Sequence, residues 1–323
     1  MTASEMTFHE SYSDDDKRKV LRINAWLTEP GRTGAELSRQ TGIKDGTRSS
    51  ILTGAYISSP SLFLQRMIDT IERSDERNQA VKADIPYTET SIALLIDSVC
   101  RRTHADRDFG IFVGKVGVGK TTGLRHYARK TPSAVLLEAF EGIDNSTFIQ
   151  ALMTATGSVA VKGTMAMQMA GLIRALKGTD RVILVDEANW LPKRSFGALR
   201  RISDVAEIGV VLVGTAELLP MVQDPEGRFG QISSRIGFWP QMAKQISEKD
   251  SALLVSSYCA GELPESVLKA FYGCCEGSAR TLKNLLKNTY RFADKNQVEI
   301  TPELVKRTNQ QAMAGRGFVS GGG

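Results

Sequence analysis

Residues 114–121 read Gly-Lys-Val-Gly-Val-Gly-Lys-Thr, and they follow the apolar run at 109–113. This is the G-x-x-x-x-G-K-T spacing of a phosphate-binding loop between a strand and a helix. Gly114, Gly117 and Gly119 let successive backbone N–H groups curl around phosphate oxygens, and the N-terminus of the next helix adds its positive dipole end. The stretch predicts a nucleoside triphosphate site, although a glycine-rich turn alone could be no more than a tight connection.

The residues of this loop have distinct expected roles. Lys120 should reach the β- and γ-phosphates, and the Thr121 hydroxyl should ligate Mg²⁺. The cofactors expected are therefore ATP and Mg²⁺. The residues predicted to bind the nucleotide are Gly114, Lys115, Val116, Gly117, Val118, Gly119, Lys120, Thr121 and Thr122.

A second element farther along the chain supports this interpretation. Residues 181–187 read Arg-Val-Ile-Leu-Val-Asp-Glu, an apolar run that ends in two carboxylates. Such a run suits a strand buried on both faces of a parallel sheet. Asp186 should hold the magnesium shell, and Glu187 should orient or deprotonate the attacking water. An Asp-Glu pair often only begins a solvated loop, but together with the phosphate loop it predicts ATP hydrolysis.

The region after residue 86 predicts an α/β fold of the P-loop type. Strands alternate with helices, which indicates a parallel sheet flanked by helices, with the nucleotide at the carboxyl ends of the strands. From Lys249 to Ala314 only helical patterns remain, so a helical lid is expected. The predicted strands are 109–113, 134–138, 181–186 and 208–213, and the predicted helices are 88–102, 119–130, 146–156, 164–177 and 194–204.

The N-terminal part predicts a separate all-α domain. A helix over 17–28 precedes two helical segments, 33–43 and 44–54, which meet at Gly42 in the manner of a helix-turn-helix. The second segment would present polar and basic groups to DNA phosphates and base edges. A small bundle that binds protein, or that only spaces the ATPase, is the alternative. The residues expected to contact DNA here are Lys44, Thr47 and Arg48.

Composition and periodicity together divide the chain into six segments. A polar, acidic stretch at the N-terminus and a charged stretch before the α/β region mark the main boundaries. The segments are a disordered N-terminus (1–16), a helix-turn-helix-like domain (17–71), a linker (72–85), an α/β ATPase core (86–245), a helical lid (246–314) and a flexible tail (315–323).

Four further residues are candidates for sensing or stabilising the nucleotide. Thr215 follows a buried apolar run, and its hydroxyl could contact the γ-phosphate or the attacking water, although Gly-Thr after a strand is by itself only a turn. Arg228 or Arg235 could supply a guanidinium to a neighbouring subunit's nucleotide, and Arg235 is preferred. Arg280 lies early in a helix of the lid and could reach the nucleotide from there. Surface positions for these arginines are the alternative.

Bulk composition sets wider limits. The chain has 323 residues, 41% apolar and 24% charged, as is usual for a globular protein. No apolar run is long enough to span a bilayer, and the N-terminus is unlike a signal sequence, so we expect an intracellular protein with no membrane partner. The four cysteines and three histidines lack the spacing of a metal or disulfide framework. A net charge of +5 permits a polyanionic partner without requiring one.

The order of these motifs resembles that of the AAA+ ATPases of DNA transposition, which select target DNA. The resemblance covers roughly residues 17–310 and includes Tyr87-Thr88-Glu89-Thr90 before the first strand, Ser-Arg-Ile at 234–236 and Gly-x-x-Arg at 277–280. It implies ATP-dependent polymerisation on double-stranded DNA, as a filament or ring, without strong sequence preference. It also implies delivery of that DNA to a transposase in the cytoplasm of a bacterial host. Hydrolysis of ATP would dissolve the filament.

The same resemblance implies a DNA-contacting pore loop. Lys162 and Thr164 fall at the matching place and would contact the DNA backbone, although a solvated loop lysine is an equal alternative. Two other functions remain open, namely a nucleotide-switched helix-turn-helix regulator and another AAA+ ATPase such as a helicase loader or a secretion-type ATPase. Glu187 argues against a pure switch, because hydrolysis needs a carboxylate beside the magnesium-binding aspartate.

Overall fold

The structure is a computed structural model that describes residues 6–82, 86–158, 163–223, 234–259 and 261–313. The chain forms two compact units, Met1–Asp84 and Ile85–Gly323. Each unit buries its own apolar side chains, the first in one core and the second in two.

The N-terminal unit is built from four helices around one core. Gly42 ends the second helix with a φ of 70°, a left-handed conformation that glycine adopts without strain. Tyr12 packs into the core beside apolar side chains from all four helices. The second and third helices are those predicted to form a helix-turn-helix, and DNA binding by them stays a prediction. The helices are α1 (Asp14–Leu27), α2 (Gly34–Thr41), α3 (Asp45–Leu52) and α4 (Ser61–Lys82).

Two predicted segments of this unit contain more regular structure than their composition indicates. The segment 1–16 was expected to be disordered, but from residue 6 onward it is ordered, because the buried Tyr12 hydroxyl donates to the Ile51 carbonyl at 3.0 Å. The linker expected at 72–85 is helical as far as Lys82. On this helix Glu72 and Arg73 are exposed, and the half-buried Asp75 carboxylate accepts hydrogen bonds from Trp26 of α1 and from Arg32, which follows α1.

The second unit contains a five-stranded parallel sheet, as an α/β P-loop fold requires. The strand order is β2-β3-β4-β1-β5, and every pairing is parallel. The three central strands are buried along their whole length, which agrees with their uninterrupted apolar sequences. The strands are β1 (Phe109–Val113), β2 (Ala134–Glu138), β3 (Val182–Asp186), β4 (Gly209–Gly214) and β5 (Ile236–Phe238).

The sequence predictions missed the edge strand β5. It has only three residues, Ile-Gly-Phe, and is too short to show a strand periodicity. Its pairing with β1 begins where the Phe109 N–H donates to the Arg235 carbonyl at 3.0 Å. This pairing places Arg235 at the amino-terminal edge of the sheet.

Helices cover both faces of the sheet, and alternate residues of each strand enter opposite cores. Ile111 and Phe112, for example, belong to different cores. Helix α5 begins after Thr90, which caps it, and is therefore shifted toward the C-terminus from the predicted span 88–102. The helices are α5 (Ser91–Asp106), α6 (Lys120–Lys130), α7 (Asn145–Ala155), α8 (Met165–Leu176), α9 (Lys193–Ala206) and the short α10 (Leu219–Val222).

The chain beyond β5 forms the helical region expected to act as a lid. Its apolar side chains, among them Val255, Phe271 and Leu282, complete the second core of the sheet. Among all helices that the structure describes, none combines the length and apolar character needed to cross a membrane. The helices of the lid region are α11 (Glu248–Tyr258), α12 (Glu265–Cys274), α13 (Ala279–Asn296) and α14 (Pro302–Met313).

A glycine in the central strand β1 allows helix α5 to approach the sheet. A Cβ atom on Gly110 would collide with the Thr103 hydroxyl oxygen. We expect Gly110→Ala to lower the free energy of unfolding by about 1–3 kcal/mol, because the buried contact cannot relax freely. Denaturant unfolding measures this change.

Gly197→Ala is the matched control. Gly197 is exposed on α9, and a Cβ there would meet nothing within 4 Å. The same substitution should stabilise the chain by about 0.5–1 kcal/mol, because alanine favours the helix interior. Destabilisation of similar size by both substitutions would contradict the packing explanation.

Candidate active site

The phosphate loop joins the end of β1 to the start of α6. Gly117 and Gly119 have φ values of 83° and 109°, which only glycine adopts without strain. Gly119 is the N-cap residue of α6 and makes no side-chain cap, so the first N–H groups of the helix face the loop. Val118 is buried in the core and anchors the loop, whereas Val116 at its tip is 63% exposed. This geometry suits the binding of an anion at a helix N-terminus.

Lys120 is buried at the centre of the loop. Its Nζ atom donates hydrogen bonds to the carbonyls of Gly114 at 2.9 Å and Lys115 at 3.1 Å. Burial lowers the pKa of Lys120, whereas the carboxylates of Glu187 and Asp186 act to raise it. The ammonium group therefore lies within electrostatic reach of both predicted acidic residues.

Asp186 and Glu187 follow β3 in two different environments. Asp186 is 2% exposed, and its Oδ1 atom accepts the Glu187 N–H at 3.0 Å. Glu187 is half-buried and has a φ of 50°, a left-handed conformation that costs a side-chain-bearing residue about 1–2 kcal/mol. The structure describes five non-glycine residues with a positive φ. Three of them cap the C-termini of helices, whereas Glu187 follows a strand. Strain of this kind is typical of functional positions.

Thr215, the candidate at the end of β4, is held by a residue that the sequence predictions missed. The Asn189 Oδ1 atom accepts the Thr215 N–H at 3.1 Å, and Asn189 is 6% exposed. A Cβ on Gly214 would approach that oxygen to 2.7 Å, so the glycine makes room for the amide. The Thr215 Oγ1 atom is buried without a hydrogen-bond partner in the described part of the chain. An amide side chain shortly after Asp-Glu, in a buried turn, is the signal that could have identified Asn189.

The start of α13 meets the phosphate loop directly. The Arg280 N–H donates to the Gly117 carbonyl at 3.1 Å. A side chain on Gly117 would collide with the Ser278 hydroxyl, so this glycine also permits the approach of the lid region. Arg280 further lowers the pKa of Lys120, although less than burial does. Lys120, Asp186, Glu187 and Arg280 are thus brought together at one edge of the sheet.

Arg235 lies at the opposite edge. It is level with Phe109, whereas the phosphate loop begins after Val113, about 16 Å farther along the strand. Its guanidinium donates to the Asp204 carboxylate at 2.7 and 3.1 Å. The Arg235 backbone is therefore far from the phosphate loop of its own subunit, and action on a neighbouring subunit stays a prediction. The other candidate, Arg228, lies outside the described residues.

The candidate pore loop is described only in part. Lys162 lies outside the described residues. Thr164 is exposed and caps α8, where its hydroxyl accepts the Met167 N–H at 3.4 Å. A contact between Thr164 and DNA stays a prediction.

The candidate DNA contacts of the N-terminal unit differ in exposure. Lys44 is exposed and Thr47 is half-buried. The Arg48 side chain is only 16% exposed, since its guanidinium donates to the Ser38 hydroxyl at 2.7 Å and to the Asp45 carboxylate. Arg48 is therefore engaged within the unit, and a contact between Lys44 and DNA stays a prediction.

Helix α13 carries a basic face that the sequence predictions also missed. Four basic residues recur at every fourth position, opposite the buried Leu282, Leu285 and Leu286. The helix has a net charge of +4, compared with +5 for the whole chain. This surface, the basic ridge, comprises Lys283, Lys287, Arg291 and Lys295.

The residues at the loop fit a nucleotide-bound magnesium ion. Among the described residues, no group of three or more His, Cys, Asp or Glu side chains could hold a metal ion. Magnesium on a nucleotide needs fewer protein ligands, because phosphates and water complete its coordination. The Asp186 carboxylate and the Thr121 hydroxyl are suitable oxygen ligands. Thr121 is half-buried, whereas the neighbouring Thr122 is exposed.

Comparison with known proteins identifies relatives of both sequence and fold. Residues 101–222 match the family described as AAA domain. The Mu-like prophage FluMu DNA transposition protein B of Haemophilus influenzae is 22% identical over 266 residues, which cover 80% of this chain and 90% of that protein. The ATP-dependent target DNA activator B of Escherichia phage Mu is 26% identical over 195 residues, which cover 56% of this chain and 58% of that protein. The crystal structure of Cdc6p from Pyrobaculum aerophilum superimposes on this chain with a TM-score of 0.54 at 15% identity. The superposition covers 70% of this chain and 68% of Cdc6p.

The contact between Asn189 and Thr215 yields a test of the site. We expect Asn189→Ala to lower the rate of ATP hydrolysis about tenfold while changing nucleotide affinity little, because it frees Thr215 without touching the phosphate loop. Steady-state kinetics and equilibrium nucleotide binding separate the two effects.

Asn24→Ala is the matched control, since its amide donates to the Leu52 carbonyl at 3.0 Å inside the N-terminal unit. It removes an equivalent side-chain hydrogen bond and should leave hydrolysis unchanged. Full activity of Asn189→Ala would exclude a role for this contact in catalysis.

Proposed function

We propose that this chain, an AAA+ ATPase similar to those of DNA transposition, binds target DNA in its ATP-bound state and delivers that DNA to a transposase. The convergence of Lys120, Asp186, Glu187 and Arg280 on one phosphate loop is the observation that carries the ATPase chemistry. The similar proteins named for DNA transposition and for activation of target DNA support the biological role. Assembly into a filament or ring on the DNA is part of the proposal.

The phosphate loop binds the triphosphate through its backbone. The N–H groups of the loop and of the first turn of α6 donate hydrogen bonds to phosphate oxygens, and the Lys120 ammonium neutralises their charge. Lys120 exchanges its carbonyl partners at Gly114 and Lys115 for phosphate oxygens. Thr121 and Asp186 would hold Mg²⁺, which would supply positive charge to the phosphates when bound.

We propose that Glu187 activates the attacking water. Glu187 directly follows Asp186, and its strained backbone and half-buried position support this role. The Glu187 carboxylate accepts the proton of the attacking water or orients it. Thr215, positioned by Asn189, offers a buried hydroxyl near the same edge of the sheet. We propose that the Thr215 hydroxyl contacts the γ-phosphate or this water molecule.

We assign Arg235 to the active site of a neighbouring subunit. The distance of its backbone from the phosphate loop of the same subunit supports this assignment. A guanidinium there would stabilise the charge that develops on the transferred phosphoryl group. Asp204 holds the guanidinium in place through two hydrogen bonds. Arg228 is the alternative residue for this role.

Basic surfaces on both units suit a polyanion. The basic ridge of α13 runs for about 18 Å, since its ends are twelve residues apart on a helix. Arg291 and Lys295 of the ridge are exposed. Contacts of this kind bind the DNA backbone without reading sequence. We propose that the ridge, together with Lys162, Thr164, Lys44, Thr47 and Arg48, supplies the DNA contacts.

Filament formation on DNA tests the proposal. Electron microscopy of the protein with ATP and random-sequence duplex DNA should show filaments, which shorten as salt rises because phosphate contacts release counterions. Lys120→Ala should form none. Lys130→Ala, which removes an exposed lysine from the other end of α6, is the matched control and should behave as the wild type.

Glu187→Gln should form filaments that persist, because it binds ATP but hydrolyses it at least ~10²-fold more slowly. Tight binding to a single DNA sequence without filaments would contradict the proposal and favour a helix-turn-helix regulator.

Mixing of variants tests the action of Arg235 between subunits. Arg235→Ala and Lys120→Ala should each be inactive alone, and a mixture should recover part of the ATPase activity, because an intact loop can meet an intact arginine at some interfaces. ATPase rates measured across mixing ratios reveal this recovery. Arg201→Ala, at an exposed position of α9, should be active without mixing. Recovery at no ratio would exclude the role of Arg235.

A further inference from the structure

A buried carboxylate, that of Asp250, caps two helices at once. Asp250 is 2% exposed and accepts the Ser247 N–H at 3.1 Å and its hydroxyl at 2.8 Å, as in a capping box at the start of α11. It also accepts the N–H and the hydroxyl of Ser91, both at 2.6 Å, at the start of α5. Burial acts to raise the pKa of Asp250, but the bonds from Ser91 and Ser247 outweigh it and lower the pKa. The ionised carboxylate therefore joins the lid region to the ATPase core.

A short run of backbone bonds leads from this carboxylate to the phosphate loop. Ile246, next to the cap residue of α11, donates its N–H to the Gly277 carbonyl at 2.9 Å. Gly277 has a φ of 72° and lies so close to Gln245 that a Cβ would collide with it. Three residues later, the Arg280 N–H bonds the Gly117 carbonyl. The chain at the start of α11 thus holds residues 277–280, which contact the phosphate loop.

The chain before α5 adds a second connection between the same parts. The Thr88 hydroxyl donates to the Ser257 hydroxyl at 3.0 Å, near the other end of α11. The Tyr87 ring stacks on His126 of α6, with the ring centroids 3.3 Å apart. Residues 87–91 therefore contact both the helix of the phosphate loop and the first helix of the lid region. Asp250 lies where this segment enters α5.

We propose that Asp250 is a positioning residue for the nucleotide site, which holds α11 against α5 and thereby keeps Ser278 and Arg280 at the phosphate loop. The inference rests on the proposed role of Arg280 in binding the nucleotide. Asp250 touches no nucleotide in this scheme. Its effect passes through the position of the lid, and so through the affinity for ATP.

The N-terminal unit contains a residue of the same design without this connection. Asp16 is also 2% exposed, and it accepts the Ser13 N–H at 3.1 Å, the Ser13 hydroxyl at 2.6 Å and the Ser61 hydroxyl at 3.0 Å. It caps α1 and ties it to the start of α4. Asp16 has the same structural role as Asp250, but its network includes no residue of the phosphate loop. It is therefore a matched control.

The experiment compares Asp250→Asn with Asp16→Asn in the full chain. An amide offers one oxygen in place of two, so Asp250→Asn cannot accept both the Ser91 and the Ser247 N–H groups. We expect it to weaken ATP binding about tenfold, the loss that corresponds to about 1.4 kcal/mol. Asp16→Asn should lower thermal stability comparably and leave the dissociation constant for ATP unchanged. Equal effects of both substitutions on ATP affinity would overturn the proposal.

A double-mutant cycle with Arg280→Ala separates this proposal from the function on which it rests. If Asp250 acts through Arg280, then Asp250→Asn weakens ATP binding by less than twofold in the Arg280→Ala background. Full additivity would overturn the positioning role while leaving Arg280 in the site. No effect of Arg280→Ala alone would instead reject the assigned role of Arg280 itself.

Milder variants keep the test decisive if Asp250→Asn does not fold. Ser91→Ala removes one hydroxyl from the carboxylate and keeps its N–H bond, and Ser61→Ala is the corresponding change at Asp16. Ser91→Ala should weaken ATP binding about threefold, whereas Ser61→Ala should not alter it. Unchanged ATP affinity of a folded Ser91→Ala protein would count against the proposal.

Discussion

The buried ammonium group of Lys120 is the charge on which the rest of the site depends. Burying a charge without partners costs several kcal/mol, so its surroundings must compensate. Two loop carbonyls accept its hydrogen bonds, and Asp186 and Glu187 lie within electrostatic reach. Glycines in the loop allow the close backbone approach, and the buried strands β1 and β3 fix the ends of the two motifs. The ligand that we propose for this site is a nucleoside triphosphate bound together with Mg²⁺.

The backbone of the lid region contacts the phosphate loop. The Gly117 carbonyl accepts the Arg280 N–H, so the loop that binds phosphate is also the loop that the lid touches. Helix α11 is in turn fixed to the core by Asp250. The proposed nucleotide site and the lid region are therefore in direct contact at the phosphate loop. Under the proposed function, this contact links nucleotide binding to assembly on DNA.

Local patterns in the sequence predicted most of the core. The phosphate loop and the strands β1 to β4 follow from glycine spacing and uninterrupted apolar runs, and their bounds agree within one or two residues. Features that depend on contacts distant in the chain were missed. Asn189 shows its role only beside Thr215, and Asp250 only beside Ser91, although Ser-x-x-Asp at 247–250 is readable as a capping box. The ordered N-terminus was missed because one buried tyrosine outweighs its polar composition.

Calorimetric titration of the purified chain with a slowly hydrolysed ATP analogue tests the central claim most directly. With Mg²⁺ present, the geometry predicts saturable binding of one nucleotide per chain. Substitution of Asp186 by asparagine should weaken that binding, and omission of Mg²⁺ should weaken it in the wild type. Absence of binding heat at every nucleotide concentration, or binding that depends on neither Asp186 nor Mg²⁺, would contradict a magnesium-nucleotide site at this loop.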